Sequence, residues 1–262
     1  AQIQRLEEHL GFTLFDRNGR SAALNAAGKL TLALAQELLS MYARLGDQSG
    51  MAATRGLLNL GAIASAQVSL LPGALALFRR DFPAWRIRIV PGVSLNLLAQ
   101  VDSDEIDSAV IIRPPFALSS DLQWQPLVTE PFVLLVPDAH AHLHWRDVIC
   151  AEPFIRYDRR SFGGRQVERF LRRMRLEVRD AIECDELQVI VELVARGMGV
   201  ALLPEAAALG AWPAGVIALP LGDDTFFREV GLVRRSRRDT QPAAEHLAGC
   251  VIESAALVAR CA

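Results

Sequence analysis

Residues 2–28 limit the fold of this chain more than any other stretch. Three apolar residues at helical spacing define one face of a short helix: Ile3, Leu6 and Leu10. Gly11 follows where a left-handed residue ends a helix. An apolar cluster at 12–15, a polar turn with Asn-Gly within 16–20 and an extended segment at 21–24 come next. The spacing therefore predicts a short helix, then a small hairpin.

The same residues form a long motif. Residues 5–17 read Arg-Leu-Glu-Glu-x-Leu-Gly-x-x-Leu-Phe-x-Arg, and residues 24–28 read Leu-x-x-Ala-Gly. This motif resembles the DNA-binding domain of LysR-type transcriptional regulators. The resemblance implies the remnant of a winged helix-turn-helix whose first helices precede Ala1, so DNA binding is expected of the intact parent protein. Asn25 stands where the family usually has Thr, and either residue can cap the helix that follows.

Four side chains are the predicted DNA contacts of this segment. Gln2 and Arg5 lie on the helix face away from Ile3 and Leu6, and Arg17 and Arg20 lie in the turn of the hairpin. A helix in the major groove with a wing on the phosphate backbone would use them in this way. The net charge of -2 does not by itself indicate a DNA-binding protein.

The next segment reads as a long helix with an apolar seam. From residue 26 onward, apolar side chains recur at steps of three and four: Leu30, Leu34, Leu38, Met41 and Leu45. The seam could pack on its own domain, but a helix this long beside so small a domain favours contact with a second copy, as in the linker helix of the family. Residues 47–56 read as a hinge. The predicted divisions are 1–25 for the partial DNA-binding domain, 26–56 for linker and hinge, and 57–262 for the rest.

Residues 57–262 alternate extended apolar runs with helical ones, which predicts an α/β fold with a mainly parallel sheet. A strand at 57–63, a helix at 68–80 and a strand at 86–93 begin this pattern. The family resemblance implies a two-lobed effector domain similar to the type 2 periplasmic solute-binding proteins. Lobe one would comprise about 57–128 and 221–262, and lobe two about 129–220. Crossing strands near 129–137 and 218–233 would join them.

Candidate ligand contacts lie where predicted strands run into helices. In open α/β sheets ligands bind beyond the carboxyl ends of the strands, against helix N-termini that attract anions. The predicted effector-binding residues are Ser65, Gln67, Ser94, Arg113, Tyr157 and Ser161. An Arg with several hydroxyls would suit a small carboxylate. Ser65 and Ser94 could instead be helix caps, Ser161 a loop hydroxyl, and Arg113 a surface charge beside two prolines.

Other functional classes have less support in the sequence. His140, His142 and His144 alternate in a loop without a fourth ligand at recognisable spacing, so neither a metal nor another cofactor is expected. No nucleophile motif indicates an enzyme. No uninterrupted apolar window of about eighteen residues indicates a membrane span. The sequence thus predicts a cytoplasmic, ligand-responsive DNA-binding regulator that forms a homodimer or homotetramer. The alternative is a solute-binding or dimerising sensor module without DNA binding.

Overall fold

A computed structural model describes residues 2–16, 23–32, 34–35, 56–236 and 241–261 of the chain. The chain divides into two compact units, Ala1–Thr54 and Arg55–Ala262. Five residues named above lie outside the described ranges: Arg17, Arg20, Leu38, Met41 and Leu45. Within those ranges, no helix has the length and apolar character needed to cross a membrane.

The first unit begins with the helix and hairpin expected from the sequence. Helix α1 (Gln2–Leu10) ends at Gly11, which has a φ of 79°. The short strands β1 (Phe15–Asp16) and β2 (Ala23–Leu24) then pair antiparallel. Helical residues follow at 26–32 and 34–35 and are labelled α2. Asn25 caps this helix, because its Oδ1 accepts a hydrogen bond from the Gly28 amide at 2.8 Å, and the predicted cap is thereby confirmed.

The second unit alternates strands and helices. Its first half contains β3 (Leu57–Ala62), α3 (Ala64–Ser69), α4 (Leu71–Asp81), β4 (Arg86–Pro91), α5 (Ser94–Asp102) and β5 (Ser108–Ile112). The long strand β6 (Leu122–Pro137) is followed by α6 (Trp145–Ala151), β7 (Pro153–Tyr157), α7 (Phe162–Met174), β8 (Arg179–Cys184), α8 (Leu187–Ala195), β9 (Ala201–Pro204) and β10 (Val216–Pro220). Strand β11 (Phe227–Arg235) and helix α9 (Pro242–Cys261) complete it.

Among the described residues, seven strands form one mixed sheet. The path runs β10-β6-β11-β5-β3-β4, and β9 pairs with β6. Strand β3 pairs parallel with β4 and β5, whereas β6 and β11 are antiparallel to every strand they pair with. The expectation of a mainly parallel sheet was therefore wrong. Strand β6 leads out of one lobe and β11 leads back, so these two strands run in opposite directions.

Two separate hydrophobic cores correspond to two lobes. One core is built from residues between 58 and 112 and between 230 and 255, and the other from residues between 132 and 221. The fold is thus the two-lobed α/β effector domain, with β6 and β11 passing from one core to the other. The core of lobe one also includes Phe162, which belongs to α7 of lobe two.

The structure corrects several predicted element bounds. The helix predicted at 68–80 is two helices, α3 and α4, because Pro72 lacks an amide proton and suits the first turn of a new helix. Strand β8 was missed because its side chains are mostly exposed and its sequence is rich in charge. It pairs parallel with β7 alone among the described strands.

Candidate functional site

A cavity of about 280 Å³ lies between the two lobes of the second unit. Residues that follow β3 and β4 line it from lobe one, and residues that follow β7 and β8 line it from lobe two. This is the position at which open α/β sheets bind ligands. Its polar lining comprises Ser65, Gln67, Ser94, Tyr157, Ser161, Asp185, Glu186 and Arg228.

Five of the six residues selected from the sequence line this one cavity, and Arg113 does not. Ser65 and Gln67 belong to α3, Ser94 begins α5, Tyr157 ends β7 and Ser161 precedes α7. They come from parts of the chain nearly one hundred residues apart. The parallel strands of each lobe end at the same edge, so the residues after them meet there.

Each serine hydroxyl of the cavity also holds a protein hydrogen bond. Ser65 Oγ accepts from Arg228 Nη2 at 3.1 Å, and the buried Ser94 Oγ accepts from the Ile112 amide at 3.1 Å. Ser161 Oγ accepts from the Gly164 amide at 3.0 Å and donates to the Asp158 carbonyl at 2.8 Å. Ser161 is therefore a helix cap for α7 as well as a cavity residue.

Arg228 is the cavity residue that the sequence reasoning missed. Its side chain is 1% exposed, and its Nε donates to Glu130 Oε2 at 2.5 Å. The two residues are direct partners in the antiparallel pairing of β11 with β6. Each predicted crossing strand contains one member of this pair. The opposite charges in the two crossing strands were therefore the sequence feature that could have suggested the ion pair. The pairing register needed to connect them is not visible in the sequence.

Two exposed carboxylates and one buried phenol give the lobe-two wall its electrostatic character: Asp185, Glu186 and Tyr157. Desolvation by its neighbours raises the pKa of the Asp185 carboxyl, and repulsion from Asp158 raises it further. Desolvation, followed by the neighbouring charge of Asp185, raises the pKa of Glu186. Burial also raises the pKa of the Tyr157 phenol, while the Arg228 guanidinium acts in the opposite direction. Tyr157 thus stays a hydrogen-bond donor at neutral pH.

Three helices of eight residues or more begin at the cavity. Ser94 opens α5, Ser161 caps α7, and Glu186 is the N-cap residue of α8. Free backbone amides at helix N-termini carry a partial positive charge and favour anionic groups. Together with the buried guanidinium of Arg228, they make the cavity suited to a ligand that carries a carboxylate.

Comparison with known proteins identifies the family. A model described as the LysR substrate binding domain matches residues 52–256. A model described as a bacterial regulatory helix-turn-helix protein of the lysR family matches residues 1–29. The chain belongs to the LysR family. It is a ligand-responsive, DNA-binding transcriptional regulator, and the non-DNA-binding alternative has no better support.

Individual relatives agree with this membership. The chain is 32% identical over 210 residues to the HTH-type transcriptional regulator TtuA of Agrobacterium vitis, covering 77% of this chain and 69% of the relative. It is 28% identical over 262 residues to the transcriptional dual regulator GltC of Bacillus subtilis, covering 96% and 86%. Its fold is similar to that of full-length OxyR from Pseudomonas aeruginosa, with a TM-score of 0.69 at 22% identity over 98% of this chain and 85% of that one.

In this LysR-family chain, Arg113 lies in a second cavity of about 270 Å³. Its Nη1 contacts both carboxylate oxygens of Glu229, at 3.1 and 3.2 Å, and Trp124 Nε1 donates to the same carboxylate. Arg165 and Arg169 of α7 also line this cavity. Arg113 directly follows β5, but its guanidinium is directed to β11 rather than to the cavity around Ser65.

Gln2, Arg5 and the three alternate histidines were also singled out from the sequence and lie within the described residues. Gln2 belongs to α1, where the side chain of Arg5 is exposed. His140 Nε2 lies 3.2 Å from Glu152 Oε1, and His144 Nδ1 accepts from the Arg146 amide at the start of α6. Two of the three alternate histidines therefore have contacts within the protein.

Proposed function

We propose that the cavity between the lobes, lined by Ser65, Ser94, Tyr157, Ser161 and Arg228, binds the effector of this regulator. The observation that carries the proposal is the convergence of five sequence-selected residues with a buried arginine on one interlobe cavity. A carboxylate would accept hydrogen bonds from the Ser65 and Ser94 hydroxyls and lie near the guanidinium and the first turn of α5. The effector class we infer is therefore a small molecule with a carboxylate.

An effector in this position would couple the two lobes. The cavity draws residues from both hydrophobic cores, so a ligand that contacts both walls favours the arrangement of lobes that fits it best. Through oligomer contacts, such a shift in population would change DNA binding. We place these events in the cytoplasm, where a bacterial regulator meets the chromosome.

Oligomerisation through the linker seam is part of the same proposal. The described members of the seam, Leu30 and Leu34, are 64% and 52% exposed. Apolar side chains repeated along one helix face are typical of helix pairing between subunits. We infer a homodimer or a homotetramer, with Gln2, Arg5, Arg17 and Arg20 directed to DNA in the intact protein.

Calorimetric titration of the purified chain with a panel of small organic acids tests the effector site. For any acid that binds, Ser65→Ala should weaken binding about tenfold, because loss of a hydrogen bond to a charged group costs roughly 1.5 kcal/mol. Arg113→Ala is the matched control and should leave affinity unchanged. The proposal fails if binding is indifferent to Ser65→Ala and depends on Arg113.

A further inference from the structure

The two walls of the interlobe cavity differ in what they offer a ligand. On the lobe-one side, the hydroxyls of Ser65 and Ser94 each accept one hydrogen bond, from Arg228 and from the Ile112 amide. Among the described contacts, neither hydroxyl donates, so both protons are available to an acceptor on the ligand. The N-terminus of α5 adds backbone amides on the same side.

The lobe-two wall carries acceptors instead. Asp185 and Glu186 precede α8 and line the cavity, and no ion pair to either carboxylate is formed within the described part of the chain. Arg160, whose side chain is 92% exposed, pairs with Asp158 at 3.3 Å and attracts Asp185 without forming an ion pair with it.

Charge compensation separates the two walls further. The positive charge of Arg228 is balanced by Glu130 at 2.5 Å, whereas the exposed Asp185 carboxylate has no ion pair among the described residues and experiences both repulsion from Asp158 and attraction from Arg160. Desolvation by its neighbours and the repulsion of Asp158 raise the pKa of Asp185, and the Arg160 guanidinium acts in the opposite direction. A plain carboxylate ligand would bring a further negative charge toward Asp185 and Glu186, which line the same cavity. A ligand with a cationic group on that side would instead be attracted to these carboxylates.

We propose that the effector is zwitterionic, with its carboxylate at Ser65, Ser94 and Arg228 and an ammonium group at Asp185. This inference rests on the proposed effector site and adds the second charge of the ligand. The volume of about 280 Å³ lies just below the usual range of about 300–1,000 Å³ for ligand pockets and suits a molecule of amino-acid size. Binding would then join lobe one to lobe two through the two ends of one ligand.

Calorimetric titration with matched pairs of ligands tests this proposal. Each L-amino acid is compared with the acid that lacks only its amino group, such as L-glutamate with glutarate, L-leucine with 4-methylpentanoate and L-phenylalanine with 3-phenylpropanoate. At least one amino acid should bind the wild-type chain tenfold or more tightly than its partner acid. Asp185→Asn should abolish that preference, whereas Asp223→Asn, an exposed acid away from the cavity, should preserve it.

The Ser65→Ala variant distinguishes failure of this inference from failure of the effector site. If plain acids bind as tightly as amino acids, and Ser65→Ala weakens both, the effector site stands and the zwitterion proposal is overturned. The zwitterion proposal is also overturned if Asp185→Asn still prefers amino acids to their partner acids. It is overturned as well if none of the amino acids tested binds. If ligands bind but neither Ser65→Ala nor Asp185→Asn alters their affinity, both proposals fail.

Discussion

At the scale of single residues, the ion pair of Arg228 with Glu130 dominates the interlobe region. Arg228 is 1% exposed and Glu130 is 9% exposed, so both charges have lost most of their hydration. Burial of two charges is repaid only when each has a partner with good geometry. The hydroxyl of Ser65 supplies a further contact to the guanidinium at 3.1 Å. The contacts with Glu130 and Ser65 therefore offset the loss of hydration of the Arg228 guanidinium, which lines the interlobe cavity.

Removal of one partner should be far more harmful than removal of both. Glu130→Met or Arg228→Met alone leaves a buried charge unpaired and should lower the free energy of unfolding by about 3–5 kcal/mol. The double variant should lose less than the sum of the two single losses, with a coupling of about 1 kcal/mol or more. Urea denaturation of the four proteins measures this cycle. Additive losses would contradict the role of the pair.

Asp185 is expected to reduce the stability of the ligand-free protein. Its pKa is raised in the folded state, so ionisation disfavours folding at neutral pH. The Asp185 side chain is exposed and solvent screens its charge, so Asp185→Asn should raise the Tm at pH 7 only slightly, by about 1–2 °C at most. The gain should vanish as pH falls below the ordinary carboxyl pKa of 3.8, where the group is protonated folded and unfolded.

Thermal unfolding followed across pH measures this effect, and Asp223→Asn, at an exposed position, serves as the control. A lower Tm for Asp185→Asn at pH 7 would show that the carboxylate stabilises the fold instead. A higher Tm for Asp185→Asn would show that Asp185 destabilises the ligand-free protein. Such a residue in the cavity lining would serve ligand binding rather than folding.

At the scale of elements, the start of α7 depends on two glycines. A Cβ at Gly163 would overlap the ring of Tyr157, and one at Gly164 would overlap the backbone carbonyl of Asp158. The Gly164 amide also donates to the Ser161 hydroxyl that caps the helix. Close approach of α7 to the end of β7 is therefore possible only without these side chains. This contact positions Tyr157 and Ser161 at the cavity.

Gly164→Ala should disrupt this contact. Because backbone rather than a movable side chain is in the way, we expect a loss of about 1–3 kcal/mol in the free energy of unfolding. Gly249→Ala is the matched control, since nothing lies within 4 Å of its Cβ position on the exposed side of α9. That control should gain about 0.5–1 kcal/mol from higher helix propensity. Equal effects of the two substitutions in urea denaturation would contradict the packing argument.

At the scale of the whole molecule, the two lobes contact each other outside their crossing strands as well. Phe162 at the start of α7 is 3% exposed and packs in the core of lobe one. Its ring contacts that of Phe116 with centroids 6.0 Å apart, edge to face. Movement of α7 relative to lobe one would therefore cost this contact. A ligand bound at Ser161, as proposed, would therefore be mechanically linked to movement of the lobes.

Subunit assembly belongs to the same scale. Joint substitution of Leu30→Gln and Leu34→Gln should remove the apolar contacts of the linker seam and shift the chain toward its monomeric mass of 28.7 kDa. Light scattering after size-exclusion chromatography measures the mass. Leu32→Gln is the control, because Leu32 is also exposed but lies two residues from each seam position, on another helix face. An unchanged mass in the double variant would locate the subunit interface elsewhere.

Much of the fold and most of the candidate site could be predicted from local pattern. Strands β3 and β4 begin at the predicted residues 57 and 86, and the serines after β3, β4 and β7 line one cavity. The positions of these serines follow from the order of strands and helices. The alternation of extended apolar runs with helical runs in the sequence predicts that order. Strand β8 was missed because an edge strand with mostly exposed side chains lacks an apolar run. Asp185, which follows it, was therefore not a candidate.

The sequence by itself determined the LysR resemblance, the helix and hairpin at the start, the two-lobed plan and the serines at strand ends. Only the tertiary structure decided which arginine reaches the cavity. Arg113 follows β5, whereas Arg228 lies within β11. The pairing of β11 with β6 sets Arg228 beside Glu130, while Arg113 joins Glu229. The physical reason is that strand order follows from local periodicity, whereas charge partners follow from register between strands nearly one hundred residues apart.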